Sequence, residues 1–375
     1  MKTLQLCIST FLSRFHLAIG RCLRISPLLA VVSLRTSIAI VLACQHPALA
    51  ESEANAKKTL AVESIDRIWY GPAAVRGRDI WDLPEGLYFE GKIQEFDALR
   101  LVYLDDMGRK RELESQRVER VDVSWSSAQA RLVHQMYLDR KYGAIAGLIN
   151  SALASGIPHW QQKMLVAELV EAADALGNTR SAGGFFLKYL AEASPPPLLY
   201  ATMPLCWTSG EADSALLTEA GKWLSSSKEP ESLLGASWLL NGTRAEEAKQ
   251  RLGKLKTSTN KVISQFAAVQ LWRLVPPPET NSNLSSWFDF RDSLLRPLQI
   301  GPTEFLADRL GRISSADLAV GEWTRIATVH ADRYHRATIA LSAARAILIR
   351  ENRQLEAERY AAWIEQLKEK SPSAP

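Results

Sequence analysis

Three places in the chain carry residue types and spacings that could do chemistry. The first is "HADRYH", which holds His330, Asp332 and His335 within six positions. Two imidazoles and a carboxylate are a metal-ligand set if the segment is a loop. On a helix the two His, five positions apart, sit about 140° round the axis, and only Asp332 and His335 share a face. With no further His nearby in sequence, the favoured reading is a surface or capping group near a helix start. The second place is Glu304 and Asp308, four apart and therefore on one helical face. Two carboxylates can divide acid and base roles. Arg309 and Arg312 stand close enough to neutralise them, so a solvated ion-pair face is the favoured account. The third is the basic run Lys249, Arg251, Lys254, Lys256 and Lys261, which could meet an anionic lipid surface, a polyanion or an acidic partner. Glu246 and Glu247 dilute it and no aromatic residues interleave, so it reads as a solvated helix face.

Elsewhere the chemistry is thin. There is no HExxH, no GxSxG, no Walker loop, no GxGxxG after a strand and no CxxC. The usual hydrolase, nucleotide and dinucleotide classes lose their support, and no cofactor or metal is expected. Cys206 beside Trp207 has no adjacent His and reads as a small buried residue. The chain has 11 Trp. Exposed Trp could stack on sugar rings, but most Trp bury a large apolar area in a core.

The compartment is set by the first fifty residues. They contain Lys2, Arg14, Arg21, Arg24 and Arg35 and no acidic residue, then the apolar runs 27–34 and 37–43, then Ala48-Leu49-Ala50. Basic, apolar, A-x-A is the layout of a secretory signal, with cleavage expected after Ala50 and Ala48 and Ala50 as the residues a signal peptidase reads. The uncharged stretch after Arg35 is shorter than the roughly 20 residues a spanning helix needs, so no transmembrane span is expected in the mature chain. The long basic region leaves open a start nearer Arg24 or Arg35. "VLAC", ending at Cys44, faintly resembles a bacterial lipoprotein box, which leaves a lipid anchor as the lesser alternative.

Removing the leader changes the charge. The whole chain has 45 basic and 41 acidic residues, a net of +4. Without the five leader residues it has 40 basic against 41 acidic, a net of −1. No global field then draws it to nucleic acid. Three of the four cysteines leave as well, so the mature chain cannot form an internal disulfide and must hold together by its core.

The mature chain divides by pattern. Residues 51–61 read as a linker. Residues 62–125 alternate with period two in short stretches: "GLYFEGKI" (86–93), "ALRLVYLDD" (98–106), "RKRELES" (109–115) and "RVERVDVSW" (117–125). Leu99, Leu101 and Tyr103 are assigned one strand face, Arg100 and Val102 the other, and Asp105 to Gly108 the hairpin turn. Four or five short strands make a small antiparallel barrel or curled sheet, which resembles SH3-like and Sm-like barrels in strand count and turn placement. From residue 126 to 375 Ala and Leu dominate and the apolar spacing becomes three and four. Tyr360, Trp363, Ile364 and Leu367 mark one helix face. Pro195–Pro197 and Pro276–Pro278, the latter followed by polar 279–286, are expected to break the helical part.

Within it, Leu169, Gly177, Ala182, Phe186 and Pro195 sit where a tetratricopeptide-type hairpin wants a Leu, a turn, a small residue, an aromatic and a closing Pro. Tyr142, Ala144, Leu148 and Ala152 form a fainter copy, and 353–367 echoes a second helix. Segment 163–195 thus resembles a tetratricopeptide hairpin. Ala144 and Ala182 lie 38 positions apart, against about 34 in that family, so a HEAT-like array fits equally well. The resemblance implies an α+β, mainly α chain in which a small β module precedes an α-helical repeat array, an α-solenoid. Such arrays usually bind other chains. The expected function is therefore a non-enzymatic interaction or scaffold protein of the periplasm or cell envelope, with a protein partner. The alternative is an envelope glycan (peptidoglycan) binding or cleaving protein, resting on the Trp content and Glu304/Asp308. In a secreted eukaryotic setting, Asn241-Gly-Thr and Asn283-Leu-Ser would be glycan acceptors.

Overall fold

A computed structural model describes residues 65–71, 87–208, 212–313 and 315–369, with residues 277–281 described by their backbone alone. The leader, Ala48, Ala50, Cys44, the linker and Trp81 lie outside the described residues.

The β module comprises β1 (Asp66–Tyr70), β2 (Leu87–Phe96), β3 (Arg100–Leu104), β4 (Lys110–Glu114) and β5 (Val118–Asp122). All neighbours pair antiparallel, in the order β4-β3-β2-β1-β5. Strand β2 is the hinge of the sheet. Its first half pairs with β1 and its second half with β3, with a register slip between Ile93 and Glu95. A bulge of this kind bends a strand and lets a small sheet curl. The outer strands β4 and β5 do not pair with each other, so the sheet is open. Asp105 begins the β3–β4 turn as expected, and Gly108 takes φ +70°.

The face assignment in β3 needs one correction. Leu99 is 81 % exposed, whereas Leu101 and Val102 are both buried. Leu99 precedes the strand, in a turn where the Asp97 carboxylate accepts the amides of Leu99 (2.8 Å) and Arg100 (3.0 Å). Such an Asx turn takes the residue out of the pleat and cancels its period-two assignment.

The helices run α1 (Ala128–Leu138), α2 (Tyr142–Leu153), α3 (His159–Ala175), α4 (Thr179–Phe185), α5 (Ser214–Leu224), α6 (Glu229–Leu239), α7 (Ala245–Leu255), α8 (Lys261–Trp272), α9 (Pro277–Asp292), α10 (Ile300–Arg312), α11 (Ala316–Val329), α12 (Tyr334–Arg350) and α13 (Gln354–Glu369). Short polar side chains start several of them: Ser127, Asn178, Asp213 and Asn260 each accept a first-turn amide. Gly177, at φ +73°, turns α3 into α4, and α4 continues through a π turn over Phe186–Leu190. The expected second break is shorter than its composition suggests. Pro276 is the N-cap and Pro277 the first residue of α9, so 279–286 are helical. Proline is tolerated at the first helical position because its missing N–H has no partner there anyway.

Sheet and helices share one apolar core. Ile68, Ile93, Phe96, Leu101, Val118 and Val121 of the sheet join one cluster with Trp160, Phe186, Leu199, Trp223 and Phe266 of the helices. The exit from the sheet is fixed by buried Gln161 of α3. Its carbonyl accepts the Ser126 hydroxyl (2.8 Å) and its amide donates to the Ser124 carbonyl (3.1 Å). The last helices bury a separate stripe, in which Tyr360, Trp363, Ile364 and Leu367 of α13 pack on Ala327, Ala337 and Leu341, as the spacing predicts.

One buried carboxylate locks the module. Asp66 accepts the amide of Ile93 (3.0 Å) with one oxygen and of Ser124 (2.8 Å) with the other. Burial outweighs these bonds and lifts its pKa from 3.8 to about 6. The folded state therefore holds this proton more tightly than the unfolded chain. The associated stability is fully present below the unfolded value and is lost as pH rises through about 6, a fall of about 3 kcal/mol. Urea denaturation between pH 3.5 and 7 should show that slope, and Asp66→Asn should flatten it. An unchanged slope in the variant would assign the effect to other groups.

Candidate functional site

The turn from α11 into α12, residues 330–334, comes back against both the sheet and the first helical hairpin. It carries His330 and Asp332, with His335 following in the first turn of α12, and the three face two adjoining cavities that share Arg333.

The larger cavity has a volume of about 160 Å³. Its sheet wall is Trp69, Glu119 and Arg120; its helical wall is Arg296, His330, Asp332 and Arg333. Each group is placed by its element. Trp69 on β1 and Arg120 on β5 both hold Asp122: the indole donates at 2.9 Å and the guanidinium at 2.6 Å. Arg120 also lies over the Trp69 ring, 5.5 Å from its centre, a cation–π contact. Arg296 sits just before α10 and reaches Glu119 with its Nε at 3.3 Å. Burial raises the Glu119 carboxyl above its ordinary range, and Arg296 offsets part of that rise.

His330 caps the C-terminus of α11 and is 5 % exposed. Its ring nitrogens have no hydrogen-bond partner among the described residues. Burial, helped by the charges of Arg296 and Arg325, pushes its pKa down to about 3. It is a neutral imidazole at physiological pH, with one donor and one acceptor. Asp332 stands in the turn itself. Protein walls raise its pKa, with Arg120 the chief opposing charge. Its side chain is still 42 % exposed, so solvent in the cavity reaches it.

The smaller cavity, about 30 Å³, lies among Tyr137, Tyr142, Glu171, Asp174, His335 and Arg333. Here the charged side chains of Glu171, Asp174, Arg333 and Arg336 and the hydroxyl of Tyr137 pair within the seam. Tyr137 and Arg333 both donate to Glu171. Arg336 donates to Glu304 (3.2 Å) and reaches Asp174 (3.5 Å). Arg140, at the end of α1, stacks on Tyr334 and donates to the carbonyls of Leu367 and Lys368 in α13. This polar seam joins α1 and α3 to α10, α12 and α13.

The placement differs from the sequence reading in several respects. His330 is buried, not a surface group, and it faces the same cavity as Asp332; His335 turns to the smaller one. Among the described residues no group of three or more His, Cys, Asp or Glu is placed to hold a metal ion. Glu304 and Asp308 do not form a pair. Glu304 is buried and bound to Arg336, whereas Asp308 pairs with Arg312 on the surface (2.9 Å). The expected neutralisation by Arg309 and Arg312 thus holds for Asp308 only. Glu304 points inward because α10 buries almost every residue of its first two turns.

Lys249, Arg251 and Lys254 of the basic run lie on α7, whose inner side buries Ala248, Leu252 and Leu255; Lys256 caps its end and Lys261 begins α8. Lys249 meets Glu246 at 3.7 Å and Lys261 meets Gln116 at 3.3 Å. Cys206 is buried, with its thiol donating to the Thr208 carbonyl (3.0 Å) and the Arg273 guanidinium 3.3 Å from its sulfur. Trp125, Trp160, Trp207, Trp223, Trp287 and Trp323 are core residues. Trp69 differs from them in lining the cavity. Sequence reasoning passed over Glu119, Arg120, Arg296 and Arg333. They come from three separate stretches of chain, the adjacent pair Glu119–Arg120 on β5, Arg296 before α10 and Arg333 before α12, and no local spacing links the three.

No helix among the described residues is long and apolar enough to cross a membrane. No protein-family model, no curated protein and no solved structure matches the chain.

Proposed function

We propose that the chain is an exported, non-enzymatic interaction protein of the periplasm or cell envelope, and that its partner is a protein. The observation that carries this reading is the packing of successive helices on their sequence neighbours, α5 through α8 and again α10 through α13. Helices stacked on their neighbours in this manner can present an extended surface, the arrangement by which repeat arrays engage other chains. The α3–α4 hairpin, with Gly177 at its turn and Ala182 and Phe186 fully buried behind it, supports a tetratricopeptide-like or HEAT-like character for that part. The strand order β4-β3-β2-β1-β5, with a single 3₁₀ turn over Ser115–Arg117 before the last strand, supports an SH3-like reading of the β module. The basic leader and its Ala48/Ala50 signature support export, with release after Ala50 favoured over a lipid on Cys44.

In-cell cross-linking of the tagged chain, with intact mass recorded on the recovered material, tests both parts. A mature chain starting at Glu51 and a discrete, repeatable protein partner are expected. Retention on purified peptidoglycan with no protein captured would replace this reading by the glycan one. A mass that keeps the leader would remove the export part.

A further inference from the structure

The larger cavity contains more recognition chemistry than its own residues use. The His330 imidazole lines the cavity and makes no side-chain hydrogen bond to the described residues, so its donor and acceptor are available to a ligand there. Arg296 contributes a second unused group. Its one protein contact there is the 3.3 Å approach of Nε to Glu119, so both Nη groups keep their N–H donors, and the side chain is 27 % exposed. A planar guanidinium fork of this kind fits a carboxylate. Asp332 is the third. The backbone N–H groups of Asp332 and Arg333 approach its carboxylate, but its nearest cation, the Nε of Arg333, is 3.8 Å away, beyond hydrogen-bonding distance, and the side chain is 42 % exposed.

The remaining charges in the walls are committed. Arg120 is held by Asp122 and Arg333 by Glu171, while Glu119 leans on Arg296. Arg296 shares its charge with Glu119 but keeps its Nη donors, and Asp332 keeps its carboxylate, in the same space. A ligand that is only an anion must face Asp332 and Glu119. A ligand that is only a cation must face Arg120, Arg296 and Arg333. A ligand bearing one charge of each sign meets both needs. The volume of about 160 Å³ corresponds to roughly five water molecules of liquid volume, the scale of a small amino acid.

We propose that the cavity binds a small zwitterion of the α-amino-acid class, its carboxylate taken by Arg296 and His330 and its ammonium by Asp332. The indole of Trp69 supplies an apolar wall beside it. This goes beyond the protein-partner reading and stands or falls separately from it.

The test is isothermal titration of the full chain with glycine, L-alanine, D-alanine and L-glutamate. Acetate, methylammonium and N-acetylglucosamine are run alongside. At least one amino acid should bind at one site per chain, and acetate and methylammonium at least tenfold more weakly. Asp332→Asn and Arg296→Gln should each weaken that binding tenfold or more. Asp332 is exposed to the cavity, so its variant keeps the test valid even if loss of Arg296 disturbs Glu119 and the fold; circular dichroism and melting temperature verify both. Absence of binding by all four amino acids would overturn the proposal. So would equal binding of acetate, binding of N-acetylglucosamine alone, or an Asp332→Asn variant that binds as tightly as the parent.

Discussion

Replacing Arg336 by methionine is expected to lower the stability of the fold by about 3–5 kcal/mol, the range for stripping the partner from a buried charge. Glu304, 4 % exposed, has both carboxylate oxygens on the Arg336 guanidinium, at 3.3 and 3.2 Å. The same guanidinium reaches Asp174 at 3.5 Å. Without it two carboxylates face each other across α3 and α10. Burial already raises the Glu304 pKa, and Arg336 is the main group pulling it down. In the variant that restraint is gone and the carboxyl protonates at higher pH. A raised folded pKa means that stability is greatest below the unfolded carboxyl value and is lost as pH rises through the folded one. The defect of Arg336→Met should therefore be largest near pH 8 and shrink towards pH 4. Adding Glu304→Leu should restore most of the loss, because a matched apolar pair often replaces a buried ion pair at little cost. Urea denaturation of the three chains at both pH values measures this. A loss below about 1 kcal/mol at pH 8 would show that water screens the pair and that the seam is not a closed structure.

The second large effect is expected at Gly235. In α6 this residue lies where α5 crosses most closely. A Cβ there would come 2.6 Å from the Ala220 carbonyl oxygen and against the Leu224 amide nitrogen. Both are backbone atoms and cannot rotate away. Alanine is the better helix former by about 1 kcal/mol, so propensity alone favours Gly235→Ala. Overpacking of two helix backbones costs about 1–3 kcal/mol, and with contacts this close to backbone atoms the upper end applies, so the steric term wins by up to about 2 kcal/mol. Gly253 in α7 is the internal control, since a Cβ there meets nothing within 4 Å. Gly253→Ala should gain about 0.5–1 kcal/mol. Thermal melts of the two variants should move in opposite directions, and a shared direction would refute the close-packing argument.

The elements were largely legible in the sequence, and the site was not. Strands β2 to β5 announce themselves by alternation and by the Asp105–Gly108 turn, and α13 by Tyr360, Trp363, Ile364 and Leu367. Local interactions write such patterns into consecutive residues. Leu99 and the polar stretch 279–286 misled because local chemistry overrode composition: an Asx turn in one case, proline at a helix start in the other. The cavity follows a different logic. His330 looked like a surface group because sequence neighbours alone do not reveal that the α11–α12 turn docks on β1 and β5; Asp332, in the same turn, does stay exposed. Glu304 looked like half of an Asp308 pair because spacing of four is all the sequence offers, whereas its true partner, Arg336, lies 32 residues on. Charged groups that meet through tertiary packing leave no periodic trace.

The seam also has a kinetic consequence. An open stack of helices, coupled only to nearest neighbours, can fray from either end at a cost well below that of global unfolding. Here the contact from Arg140 to Lys368 spans 228 positions, and Arg333 and Arg336 tie the same ends a second and third time. Such ties turn a linear stack into a circuit. Opening α12 or α13 must break the seam as well as one helix interface, so terminal amides should exchange on the slow, near-global scale. The same ties form only after the whole chain has been brought round, and the entropy of closing so long a loop makes folding slower than in a free-ended array.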